Sequence, residues 1–129
     1  MGVEYVLPEE LKNKIKKILN ELIEADPELK ALLLAYMDGT PIASTLSSST
    51  EMSVLAAILA TLAALNRKII NYLPLRDFKY STSKFEEGGI FITPIAQKYF
   101  LLVYFSKNAR LGIVLRDIEL LKKKLSEIL

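Results

Sequence analysis

Glu51-Met52-Ser53-Val54-Leu55-Ala56-Ala57-Ile58-Leu59-Ala60-Thr61-Leu62-Ala63-Ala64-Leu65 is the stretch on which the fold turns. From Met52 to Asn66 no residue is charged. At 100° per residue, Val54, Leu55, Ile58, Leu62, Leu65 and Ile69 form one bulky stripe, and Ser53, Ala56, Ala57, Ala60, Ala63 and Ala64 occupy the opposite side. A helix that is apolar all round has to be covered on more than one side. The spacing predicts a helix from about Thr50 to Tyr72, opened by Ser48 and Glu51 in a capping box and ended at Leu73-Pro74. Its uncharged run falls short of the ~20 residues of a bilayer span, so membrane insertion is not expected.

Toward the N-terminus, Leu29 to Met37 reads as a strand with two apolar faces. Leu32, Leu34 and Tyr36 point one way; Leu29, Ala31, Leu33 and Ala35 point the other. Asp38-Gly39 is a hairpin signal, and Pro41 to Leu46 returns as a second strand. A first helix from about Pro8 to Glu24 carries Leu11, Ile15, Ile18, Leu19 and Leu22 on one stripe. Its lysines at 12, 14, 16 and 17 share the helix with Glu9, Glu10, Glu21 and Glu24, which reads as a solvated mixed-charge face and not a nucleic-acid patch.

Toward the C-terminus, Arg76 to Phe85 alternates as a third strand. Phe78, Tyr80 and Thr82 share one face and Lys79, Ser81 and Ser83 the other, the pattern of an edge strand. Gly88-Gly89 is read as a turn. Ile90 to Ala96 and Tyr99 to Phe105 follow as strands joined by Gln97-Lys98. Pro94 predicts a bulge or a solvent-facing N position. A last helix opens near Asn108 as cap and buries Leu111, Val114, Leu115, Ile118, Leu121, Leu125 and Ile128. The result is an α/β (α+β) chain, one domain over residues 1–129, with one antiparallel sheet and helices on both faces.

Chemistry is limited by what is missing. The 129 residues contain no cysteine and no histidine, so there is no disulfide, thiolate, common general base or common zinc ligand. Ser83-Lys84 and Ser106-Lys107 are neighbours in sequence only, Asp38 is a turn residue, and no phosphate-binding G-x-x-x-x-G-K-[ST] run occurs. Catalysis, a cofactor and a metal are therefore not expected. A net charge of +2 gives no electrostatic reason for nucleic acid or an anionic membrane. The composition is compatible with a thermophilic source. Met1 to Val6 has neither a secretory nor a myristoylation pattern, so a cytoplasmic protein is the expectation.

The landmarks in order resemble the roadblock/dynein light-chain family. They are Met37-Asp38-Gly39-Thr40-Pro41-Ile42-Ala43-Ser44, the Ala-rich helix from Glu51, Gly89-Ile90-Phe91-Ile92-Thr93-Pro94-Ile95, Tyr99 to Phe105, and Asn108-Ala109-Arg110-Leu111-Gly112. The resemblance implies a five-stranded sheet in the order 2-1-5-4-3, with the central helix on one face and the terminal helices on the other. It implies a homodimer through the central helix and third strand, here Met52, Ala56, Leu59, Ala60, Ala63, Phe78, Tyr80 and Thr82. Pairing with a related chain is also open. It further implies a non-catalytic adaptor on a Ras-like small GTPase, contacted by Ser53, Ala57, Ala64, Arg67, Lys68 and Asn71. Arg67, the one arginine on that helix, fits either an arginine finger or a helix-end cation. The alternative functions are a scaffold module of a motor or signalling assembly, indifferent to nucleotide, and a small-ligand sensor, which would need a polar-lined cavity.

Overall fold

The computed structural model describes residues 7–129, and the reading of Met1 to Val6 lies outside the described residues. Helix α1 spans Glu9–Ala25, followed by strands β1 (Leu29–Tyr36) and β2 (Pro41–Ser44), helix α2 (Ser49–Lys68), strands β3 (Ser81–Lys84), β4 (Gly88–Ile95) and β5 (Tyr99–Ser106), and helix α3 (Leu111–Ile128). All strand pairs are antiparallel, in the order β2-β1-β5-β4-β3.

Strand alternation sorts the core into two layers. Leu32 and Leu34 of β1, Phe91 of β4, and Leu101 and Val103 of β5 pack with Ile15 and Leu19 of α1 and Val114, Ile118, Leu121 and Leu125 of α3. The other sheet face sets Leu33, Ala35, Ile92, Phe100 and Leu102 against Ala56, Leu59 and Ala63 of α2. Leu29 does not follow the alternation that grouped it with Leu33. The β1–β5 register shifts between Leu29 and Ala31, which turns Leu29 into the α1/α3 layer.

Local chemistry explains the joints. Asp38 Oδ1 accepts from Thr40 N at 2.9 Å, and this bond holds its carboxyl below the usual range. Gly39 takes φ +92°, open to glycine and costly to other residues. Ser48 Oγ accepts from Glu51 N at 3.2 Å, the expected N-cap of α2. The helix proper ends at Lys68, and a 3₁₀ turn covers Ile69–Asn71.

Three expectations need correction. The final helix is capped by Arg110 and not by Asn108. Gly88-Gly89 is not a turn: both glycines lie in β4, where a Cβ would run into the Phe105 carbonyl at Gly88 and the Phe105 ring at Gly89. At Pro94 the expectation of a bulge or an unpaired N position resolves to the second: the register runs without a bulge, and β3 stops pairing at Ile92, so no β3 strand partner lies opposite the missing N–H. The third strand is only Ser81–Lys84, because residues 76–80 leave the ladder. The Thr93 hydroxyl donates to the Lys79 carbonyl at 2.9 Å and ties that segment to the sheet edge.

Candidate protein-docking surface

Helix α2 sits on the sheet the opposite way round from the simplest reading of its two stripes. Ala56, Leu59 and Ala63 are 0%, 1% and 0% exposed, closed against the protein's own sheet. Met52, Leu55 and Leu62 are half-buried beside them. The assignment of Ala56, Leu59 and Ala63 to a contact between copies is therefore corrected: they belong to the protomer's core, and Met52 lies half-buried at its rim. Small side chains let the helix approach closely, while Phe100, Leu102, Ile92 and Leu33 supply the bulk from the sheet side.

The bulky residues are left outside. Val54, Ile58, Leu65 and Ile69 are 54%, 49%, 58% and 42% exposed. At helical spacing they line one flank, and Tyr72, Leu73 and Leu75 extend the apolar surface beyond the helix end. The opposite flank is small and polar and leans on the β1–β2 hairpin. A Cβ on Gly39 would sit 3.3 Å from Ala57 Cα and from Ala60 Cβ, and Arg67 Nη1 lies 3.8 Å from Met37 Sδ. Ala60 is half-buried there. Ser53, Ala57, Ala64, Arg67, Lys68 and Asn71 are all exposed, and all but Lys68 fall on this flank, with Lys68 at its outer edge.

The sheet is uncovered next to the bulky flank. Helix α2 packs over β2, β1 and β5 and makes no comparable contact with β4 or β3. Beyond it lies an apolar hollow of about 140 Å³ lined by Leu33, Leu55, Ile90, Leu102 and Tyr104 among others. At the far edge β3 has a free side. The expected trio on β3 separates in space. Phe78 turns toward the α2 layer, Tyr80 stacks on Phe91 of the other layer at 4.8 Å, and Thr82 donates its hydroxyl to the Ile90 carbonyl at 2.8 Å. Thus the surface joins a ridge of aliphatic side chains, a hollow and an open strand edge. A patch of this composition is suited to contact with another protein surface.

The segment Ser49–Asn71 is also long and apolar enough to cross a bilayer by length and composition. Its small-residue face, however, completes one of the two core layers. Among the described residues, no three acidic side chains gather as a metal site.

Sequence periodicity missed Val54, Ile58 and Leu65 as surface residues, because it gives the angle between two stripes and not which one meets the sheet. The hairpin glycine at position 39, which needs a small neighbour, was the one available signal.

The family model of the Roadblock/LC7 domain matches residues 15–105. No curated protein matches the chain by sequence. Among solved structures, Myxococcus xanthus MglB superposes with a TM-score of 0.85 at 22% identity, covering 95% of this chain and 92% of that one. The gliding protein MglB from Thermus thermophilus gives 0.81 at 20% identity, with 95% and 93% coverage. A Roadblock/LC7 domain from Streptomyces avermitilis gives 0.80 at 16% identity, with 85% and 92% coverage. At these identities the likeness is one of fold.

Proposed function

The chain belongs to the Roadblock/LC7 domain family, and we propose that it works as a non-catalytic homodimeric adaptor that binds a Ras-like small GTPase and tunes its nucleotide cycle or location. The observation that carries the reading is the bulky flank of α2 lying beside an uncovered sheet face and a free β3 edge. A second copy related by a two-fold axis supplies both missing covers. Its α2 ridge fills the hollow by Leu55 and Tyr104, and its β3 continues the sheet. Ile58 and Leu65 are thereby removed from water.

Pairing of this kind leaves the small, polar flanks of both helices facing outward as one platform. Ser53, Ala57, Ala64, Arg67, Lys68 and Asn71 then meet the GTPase, with few large side chains in the way of a close approach. Arg67 is exposed and carries no ion pair among the described residues, so its guanidinium is available to a partner's phosphate or carboxylate. The absence of histidine and cysteine supports regulation through contact and positioning, without covalent chemistry by this chain.

The test uses the full chain and purified Ras-like small GTPases, loaded in turn with GDP and with a non-hydrolysable GTP analogue. The expected result is a dimer that binds one nucleotide state at least tenfold tighter and changes GTP turnover or nucleotide release. Retained dimerisation with no binding in either state would overturn the GTPase reading and leave a scaffold.

A further inference from the structure

We propose that the cleft beneath the C-terminal end of α2 is a binding site for a small, multiply phosphorylated molecule. The cleft measures about 480 Å³, within the ~300–1,000 Å³ of small-ligand sites. Arg67, Arg76, Lys79 and Lys122 line it, against one carboxylate, Asp77. The whole chain carries a net charge of only +2, so this excess of cations in one concavity is a concentration and not a general property of the surface. No ion pair neutralises Arg67, Arg76 or Lys79 among the described residues.

The cations are held by built structure. Thr93, 1% exposed, donates its hydroxyl to the Lys79 carbonyl at 2.9 Å and accepts from Lys122 Nζ at 3.4 Å. One buried side chain thus anchors the backbone at Lys79 and the ammonium of Lys122 together. The cleft floor includes the β4–β5 turn, where Ala96 and Gln97 adopt φ of 53° and 59° with neither being glycine. The Lys98 N–H donates to the Ile95 carbonyl at 3.2 Å, so these two residues form a tight hairpin turn with left-handed backbone at both central positions, which fixes that side of the cleft. Met37 and Phe78 add an apolar wall on which a base or sugar can rest. Three cations unpaired among the described residues, with Lys122 whose ammonium also meets Glu119 at 3.6 Å, around a concave wall suit a pyrophosphate-bearing small molecule. An acidic protein segment needs a longer groove.

The experiment is calorimetric titration of the full chain with inorganic pyrophosphate and with ATP, against sodium sulfate at matched ionic strength. Saturable binding of one molecule per chain is expected for both phosphate probes. Arg76→Ala with Lys79→Ala, both at exposed positions, weakens it at least tenfold, and Lys14→Ala with Lys16→Ala on α1 leaves it unchanged. Thr93→Val, which removes no charge, weakens it severalfold. Equal heats from sulfate, equal loss from the α1 pair, or binding of poly-glutamate without binding of either phosphate probe would each overturn the proposal, the last by assigning the cleft to an acidic protein segment.

Discussion

Truncating Leu65 separates the two possible orientations of α2 by experiment. Its side chain is 58% exposed in the protomer, so folding alone recovers less than half of its burial energy. Leu65→Ala removes about three carbons, worth ~2.4 kcal/mol if fully buried at ~0.8 kcal/mol per CH₂. Roughly half of that, ~1.2 kcal/mol, belongs to association. A two-fold interface counts it twice, giving ~2.4 kcal/mol per dimer, or a dimer dissociation constant raised ~50-fold. Protomer stability should fall by only ~1 kcal/mol. Leu59, one position from Ile58 but 1% exposed, behaves in the opposite manner. Leu59→Ala leaves a core cavity and costs ~2–5 kcal/mol of folding stability. Sedimentation equilibrium over a wide concentration range, with urea unfolding of the same samples, reads both quantities. An unchanged dimer constant for Leu65→Ala, or a dimer broken by Ala57→Asp on the other flank with Leu65→Ala silent, would refute the assignment of the bulky flank to the pairing surface.

Three further outcomes follow from local geometry. Gly89→Ala places a Cβ 2.5 Å from the Phe105 ring, and the resulting overpacking should cost ~1–3 kcal/mol in urea unfolding, even though glycine here has no unusual φ. Gln97→Gly relieves a left-handed residue and should stabilise the chain by ~0.5–1 kcal/mol after the entropy of the added glycine is counted; a loss of stability would show that the turn is not strained. Asp117 is pushed up to about 6 by burial, then by its approach to Asp26. Its native form holds the proton more tightly than the unfolded chain, so its ionisation is no burden below about pH 4. The burden grows through pH 6 and is complete above it. Asp117→Asn should raise stability at pH 7 by ~1 kcal/mol, allowing for solvent screening at this half-exposed site, and leave it unchanged at about pH 3; chemical denaturation at the two pH values reads the difference.

The legible features were those written in short-range patterns. The 3.6-residue and two-residue periods placed every helix and strand in the right order. Asp38-Gly39 placed the first hairpin, and Ser48 placed the start of α2. Clean alternation marked β3 as an edge, as the strand order shows. Gly88-Gly89 misled because glycine serves equally for a turn and for a strand crowded by a neighbouring ring, and the neighbour, Phe105, lies far along the chain. The site was less legible than the fold. Ser53, Ala57, Ala64, Arg67, Lys68 and Asn71 are exposed, whereas Ala56, Leu59 and Ala63 went inward.

By itself the sequence determined which residues share a face and in what order the elements follow, since both depend on backbone geometry over a few residues. Which apolar side of α2 meets the sheet was decided only in three dimensions. Both sides are apolar enough to be buried, so hydrophobicity does not choose between them. The choice falls to volume: Phe100, Leu102 and Ile92 already fill the sheet face, and a helix side with Ala56 and Ala63 flanking a single central leucine, Leu59, leaves room for close approach. The same packing gathers Arg67, Arg76, Lys79 and Lys122 from three separate segments around one cleft, a proximity no local pattern encodes.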